Sequence, residues 1–370
     1  MPAPTTARGW SFSETARELL ATCHGGLRAH LDEREEVLDL LDGLIVAGDP
    51  ATAEAASDYR DRLMSFEGSV TFLGQVKAGK TSLVNAMLGR PGLLPADVNP
   101  WTSVVTSLHL RRPEDGGGGR ARFTFFDAEE WDRLTQRGGR IGELAGRAGA
   151  EDEREKIARQ IEAMREKTRR RLGRRFELLL GTSHDYGSFD EALIERYVCM
   201  GDDDLDEDDP DTGGPGAEQG RFADITKAAD LWLPQEGLPP GLCLRDTPGV
   251  NDTFMIREQI TIGAIRGSRL CVVVLSAHQA LSSVDMALIR LIANVRAREV
   301  LIFVNRVDEL PDPARQIDEI DASLRATLAG QGELGEVEIL FGSARWAALA
   351  LTEGLDGIDA EAGEALVSYA

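Results

Sequence analysis

Gly74-Gln75-Val76-Lys77-Ala78-Gly79-Lys80-Thr81, continued by Ser82-Leu83-Val84-Asn85, is the stretch whose reading decides the fold. It fits G-x-x-x-x-G-K-[ST], and it lies directly between an apolar β-rich run, Ser69 to Leu73, and a helical pattern. That context makes it a phosphate-binding loop rather than a chance glycine-rich turn. Glycines let successive backbone N–H groups wrap a β-phosphate, and the helix start adds the positive end of its dipole. Lys80 is placed to bridge the β- and γ-phosphates and the Thr81 hydroxyl to ligate magnesium. Contacts to a nucleotide are expected from Gly74, Gln75, Val76, Lys77, Ala78, Gly79, Lys80, Thr81 and Ser82.

Outward from this loop, the runs SVTFL, SVVTSLHL, RARFTFF, KAADLWL, LCLRD, RLCVVVL, REVLIFVN and EVEILF alternate with helical periods up to about residue 340. Several are continuously apolar, as expected of central strands covered on both faces. The fold class is therefore α/β: a P-loop NTPase mixed β-sheet flanked by helices, with an N-terminal helical segment and a helical insertion. Asp246-Thr247-Pro248-Gly249 follows the strand LCLR and fits D-x-x-G. Asp246 is assigned to magnesium and the Gly249 N–H to the γ-phosphate. Asn305-Arg306-Val307-Asp308 ends the strand VLIFV and resembles N-K-x-D. An Asp308 carboxylate can accept hydrogen bonds from the N1–H and exocyclic amine of guanine, a pair that adenine does not offer, so guanine is preferred. Arg306 replaces the usual Lys; its stem and planar head can still lie over the base. Ser343-Ala344, after the run EVEILF, matches the weaker S-A element that touches the guanine carbonyl. Within Asn99 to Thr106, Thr102 is the best-placed residue to close over magnesium and the γ-phosphate, with Thr106 the alternative.

Ahead of the loop, apolar residues from Phe12 to Ile45 recur three or four apart behind a Ser11/Glu14 capping box, predicting a long amphipathic helix. Gly48-Asp49-Pro50 stops it and starts a second helix, capped by Asp49 and reaching about Phe66. Their apolar stripe needs covering, and helices from further along the chain are the simplest partner. The organisation predicted is 1–67 helical, 68–350 nucleotide-binding with an insertion at about 127–220, and 351–370 helical.

Composition narrows the partners. The 370 residues hold 41 Lys and Arg against 63 Asp and Glu, a net charge of −22, which argues against a nucleic-acid coat or an anionic-membrane binder. Eight of the ten residues from Asp202 to Asp211 are acidic. That run lacks the alternating ligands and central Gly of an EF-hand and reads as a mobile loop. The basic cluster from Arg165 to Arg175 reads as a solvated face or a partner for the acidic loop, not as an RNA site. Cys23, Cys199, Cys243 and Cys271 have no paired metal-ligand spacing and read as reduced structural thiols. With no apolar stretch long enough to span a bilayer and no secretion-signal layout, the chain reads as soluble and cytoplasmic.

With GQVKAGKTSLVNAMLG, PWTSVVT, DTPGVNDT, VLSAHQALSSVD and IFVNRVDEL on the page, the chain resembles the dynamin superfamily, most closely bacterial dynamin-like proteins, over about residues 66–345. The resemblance implies GTP and GDP as ligands, Mg²⁺ as cofactor, GTP hydrolysis, a homodimer through the GTPase domain, and membrane remodelling from a peripheral position. After D-x-x-G stands Val250, which cannot orient an attacking water. The missing function must come from backbone groups, Thr102, a partner subunit, or Lys77, whose ammonium can offset transition-state charge between the β- and γ-phosphates. The alternative for Lys77 is a side chain in solvent. Catalytic roles are thus expected at Lys77, Lys80 and Thr102, and metal contacts at Thr81, Thr102 and Asp246. A nucleotide-gated protein-binding module with little hydrolysis is the competing reading, and an ATPase or kinase is disfavoured by Asp308.

Overall fold

The computed structural model describes residues 25–96, 104–111, 119–137, 168–199, 220–235, 238–249, 263–279, 299–329 and 337–352, with single positions at 166 and between 282 and 292. Helix α1 (Gly25–Ala47) and helix α2 (Pro50–Met64) form a hairpin. The turn follows the sequence rule: Asp49 Oδ1 accepts hydrogen bonds from the Ala51 and Thr52 amides, both at 3.0 Å, and Pro50 opens the helix. Arg60 pairs with Asp42 at 2.5 Å, and Arg34 donates to the Leu63 carbonyl at 3.2 Å. Of the expected apolar stripe, Leu31, Leu38, Leu41 and Ile45 are half-buried, whereas Leu40 and Val46, which lie off it, stay 69% and 87% exposed.

Strand β1 (Gly68–Leu73) leads through the glycine-rich loop into α3 (Lys80–Met87). Then come β2 (Val105–Arg111), β3 (Arg120–Phe125), α4 (Ala128–Arg137), β4 (Ser183–Tyr186) and α5 (Glu191–Val198). The chain continues through β5 (Thr226–Pro234), β6 (Leu242–Asp246), β7 (Leu270–Ser276), β8 (Glu299–Asn305), α6 (Pro313–Ala329), β9 (Glu338–Phe341) and α7 (Ala344–Thr352). The strands form one nine-stranded sheet in the order β4-β3-β5-β2-β6-β1-β7-β8-β9. From β6 to β9 all pairings are parallel, whereas β2 runs antiparallel to β6 and β3 antiparallel to both β4 and β5.

Each of the eight anticipated runs is a strand, and the mixed sheet flanked by helices is as expected. In β7, Val272 and Val274 face one core while Cys271, Val273 and Leu275 face the other. This explains the unbroken apolar run: both faces of the strand are covered.

The 127–220 segment is more than a loop-out. Its β4 extends the sheet at one edge, and Tyr197 of α5 is fully buried, stacked on Phe123 at 4.0 Å between centroids. The Tyr197 hydroxyl meets His184 Nδ1 at 2.6 Å and the Tyr186 hydroxyl at 2.7 Å, so the buried oxygen is satisfied. Burial, reinforced by the Tyr186 hydrogen bond, holds this phenol well above its ordinary pKa. In the basic cluster, Arg171 pairs with Asp224, while Arg169, Arg170, Arg174 and Arg175 are exposed, as a solvated face requires. The acidic run 202–211, Trp101, Val250 and Cys23 lie outside the described residues.

Candidate nucleotide site

Topology puts the site at the carboxyl edge of the parallel strands. β1 ends at Leu73, β6 at Asp246, β8 at Asn305 and β9 at Phe341, and the loops that leave them converge there. Together they line a cavity of about 470 Å³. Val76, Lys77, Gly79, Lys80, Thr81 and Ser82 reach it from the loop and helix start, Gly249 from β6, and Asn305, Arg306, Asp308 and Ala344 from the β8 and β9 ends. Gly74, Gln75, Ala78, Asp246 and Ser343 support this lining without forming it.

At the phosphate end, Gly79 starts α3 with φ +85°, a left-handed conformation that glycine adopts at no steric cost. Lys77 is also left-handed, at φ +66°, and its side chain is exposed. Lys80 is buried; its Nζ donates to the Gln75 carbonyl at 2.9 Å. The Gln75 side chain donates to Ser282 Oγ at 2.6 Å, so it braces the loop from outside the cavity. A β-carbon on Gly249 would stand 2.8 Å from Val76 N and Cα, which shows how tightly the D-x-x-G turn packs on the loop.

Thr81 and Asp246 provide the test for a magnesium ion. Thr81 Oγ1 donates to Asp246 Oδ2 at 2.7 Å, while Asp246 Oδ1 is buried with no hydrogen-bond partner among the described residues. An unpaired buried carboxylate oxygen beside a hydroxyl is a hard-oxygen donor pair, so these residues fit the ion. Burial pushes the Asp246 carboxyl above its ordinary pKa and the Lys80 ammonium below its own; the attraction between the two opposes both shifts. Thr102 lies outside the described residues, and its alternative Thr106 is buried within β2.

At the end expected to take the base, Asn305 is spent on the protein itself. Its Nδ2 donates to the Ala78 and Gly79 carbonyls at 3.0 and 3.4 Å, and its Oδ1 accepts from the Ala344 amide at 3.0 Å. One buried side chain thereby ties the phosphate loop to the β9 loop. Arg306, at φ +69°, donates from Nη1 to the Lys77 carbonyl at 3.1 Å and from Nε to Glu309 at 2.8 Å. Its planar head is thus anchored to the phosphate loop, leaving its stem along the cavity. Asp308 is half-buried at the cavity wall. Ser343 Oγ accepts from the Trp346 amide at 3.0 Å and so caps α7. Sequence reading missed Pro95, Ala96, Thr247, Glu309 and Arg345, which also line the cavity. Thr247 lies inside the quoted D-x-x-G element, and Glu309 and Arg345 directly follow quoted motifs; Pro95 and Ala96 carried no signal.

The dynamin family's sequence profile matches residues 70–307, which span every strand from β2 to β8 and the glycine-rich loop and reach Val307, one residue short of Asp308. The chain belongs to the dynamin family. Two solved structures share its fold, both of an oligomerised bacterial dynamin pair described as providing a mechanism for long-range sensing and tethering of membranes. One is 18% identical with a TM-score of 0.61, covering 90% of this chain and 40% of the other. The second is also 18% identical, with a TM-score of 0.59, covering 91% of this chain and 49% of the other. The chain thus spans less than half the length of these relatives. No curated protein matches it in sequence. Family membership supports a nucleotide-binding and nucleotide-hydrolysing protein of GTPase type in general. No described helix is long and apolar enough to cross a membrane.

Proposed function

We propose that this dynamin-family chain binds and hydrolyses GTP at the cavity between β1, β6 and β8, and that nucleotide-dependent pairing of two such domains moves the α1–α2 hairpin. The observation that supports it most is one cavity shared by Lys80 and Thr81 at one end and Asp308 at the other, with the unpaired Asp246 oxygen behind Thr81. Backbone N–H groups from Lys77 to Thr81 hold the phosphates, and Lys80 neutralises charge between β and γ. Thr81 and Asp246 hold Mg²⁺, which when bound offsets charge on the β- and γ-phosphates. Asp308 selects guanine through its two acceptor oxygens. Lys77, exposed at the cavity rim, adds positive charge in the transition state, and Thr102 closes over the γ-phosphate. A second copy across the nucleotide face completes a site that has no water-orienting side chain after D-x-x-G, and membrane remodelling is the output such pairing would serve.

The test is steady-state phosphate release from GTP by the full chain in Mg²⁺, beside Lys80→Ala. Turnover that vanishes in the variant supports the proposal. Absence of turnover with intact GTP binding would replace it with a nucleotide-gated binding module.

A further inference from the structure

At the opposite edge of the sheet from the nucleotide cavity, four residues from four segments meet. Glu67 joins α2 to β1, His109 lies on β2, Cys243 on β6 and Asp230 on β5. Register dictates the meeting. His109 is the direct antiparallel partner of Cys243, which puts both side chains on one face, and Gly68, next to Glu67, pairs with Leu242 beside Cys243. Among the described residues, Glu67, His109 and Cys243 alone form such a group: one ligand atom from each lies within 4.8 Å of the others.

The donors are also arranged as a metal site needs. His109 turns Nδ1 toward Glu67, 2.8 Å from Oε2, and its other nitrogen, Nε2, meets Asp230 Oδ1 at 3.1 Å. A carboxylate on the far nitrogen is the usual partner of a metal-bound imidazole, fixing its tautomer and ring plane. Trp232 stacks on the same ring at 4.9 Å and 14°, which locks it further. Cys243 is fully buried, while Glu67 and His109 line a cavity of about 700 Å³ that also receives Arg34 and Glu35.

We propose that Glu67, His109 and Cys243 bind one divalent transition-metal ion, Zn²⁺ by the chemistry of the donors, with its fourth position open to this cavity. A sulfur, a nitrogen and an oxygen donor suit Zn²⁺, and the thiolate discriminates against Mg²⁺ and Ca²⁺. The ion displaces the Cys243 thiol proton and any proton on His109 Nδ1, so both leave to solvent on binding. Because Glu67 is the root of the α1–α2 hairpin, the ion fastens the hairpin to β2 and β6. This inference stands without the GTPase reading, since neither the residues nor the test involve nucleotide.

The test uses the full chain, reduced, stripped of metal and nucleotide-free. Co²⁺ titration should give one equivalent with tetrahedral visible bands and a thiolate-to-cobalt charge-transfer band in the near ultraviolet. Zn²⁺ should displace it and raise the Tm. Cys243→Ala should remove the charge-transfer band and weaken Zn²⁺ binding by about 100-fold or more, and Asp230→Asn should weaken it by about 10–100-fold while keeping the band. Glu67→Gln, at a half-exposed position, provides a well-folded variant should the Cys243 change disturb the core; about tenfold or greater weakening is expected. Cys199→Ala should change nothing. No saturable Co²⁺ or Zn²⁺ binding, or a site that survives Cys243→Ala and Glu67→Gln, would overturn the proposal and leave an imidazolium held between two carboxylates.

Discussion

Gly79→Ala probes the joint between the phosphate loop and the base-side loops, and its cost can be worked term by term. Gly79 sits at φ +85°, ψ 29°, and an alanine held there is strained by about 1–2 kcal/mol. Its β-carbon would stand 2.3 Å from Asn305 Nδ2, so the Asn305 side chain must move. Moving it breaks the hydrogen bonds to Ala78 O and from the Ala344 amide, both 3.0 Å. Each is worth about 1 kcal/mol net, with roughly 1–3 kcal/mol more where a buried partner is left unpaired. The total is about 3–7 kcal/mol, a Tm decrease of order ten degrees. The cost should depend on Asn305. In an Asn305→Ala background only the backbone strain of about 1–2 kcal/mol remains for Gly79→Ala. Thermal and urea unfolding of the four nucleotide-free proteins gives the coupling energy, expected at about 2–5 kcal/mol. Equal costs of Gly79→Ala in both backgrounds would refute the brace.

Three further outcomes follow from the site and its surroundings. Asp308→Asn replaces an acceptor oxygen by a donor, so it should weaken GTP binding by about 100-fold or more and strengthen xanthosine triphosphate binding, read by competition against a fluorescent nucleotide. Lys77→Ala should lower GTP turnover by about tenfold or more with little loss of nucleotide affinity, measured by single-turnover hydrolysis; unchanged turnover would leave Lys77 in solvent. The Cys199 thiol is pushed up from 9.0 to about 12, by burial first and then by Glu195 and Glu191. Its thiolate fraction at pH 8 should fall by about a thousandfold, so alkylation should be slow there and rise about tenfold per pH unit up to pH 11.

The sheet was legible wherever strands are apolar and buried on both faces, as in LCVVVLS and VLIFV. SHDY was not: β4 is short and polar because it is an edge strand, held by pairing with β3 and by the Tyr197 cluster rather than by its own hydrophobicity. The strand order was also hidden, since which neighbour β2 takes depends on contacts far apart in the chain. In the site, spacing pointed to Lys80, Thr81 and Asp308, which the structure gathers around one cavity, and to Asp246, which meets Thr81. It did not reveal that Asn305 is consumed by Ala78 and Ala344, or that Arg306 anchors to Lys77, because backbone acceptors have no residue signature. Glu67, His109 and Cys243 are separated by 42 and 134 positions, so only the β2–β6 and β1–β6 registers bring them together.

The most direct test of the central claim is equilibrium binding of GTP and ATP, as non-hydrolysable analogues, to the full chain with and without Mg²⁺. The site as built predicts saturable GTP-analogue binding that Mg²⁺ strengthens and ATP-analogue binding about 100-fold or more weaker, because adenine leaves Asp308 unpaired. Equal affinity for the two, or binding indifferent to Mg²⁺, would contradict it.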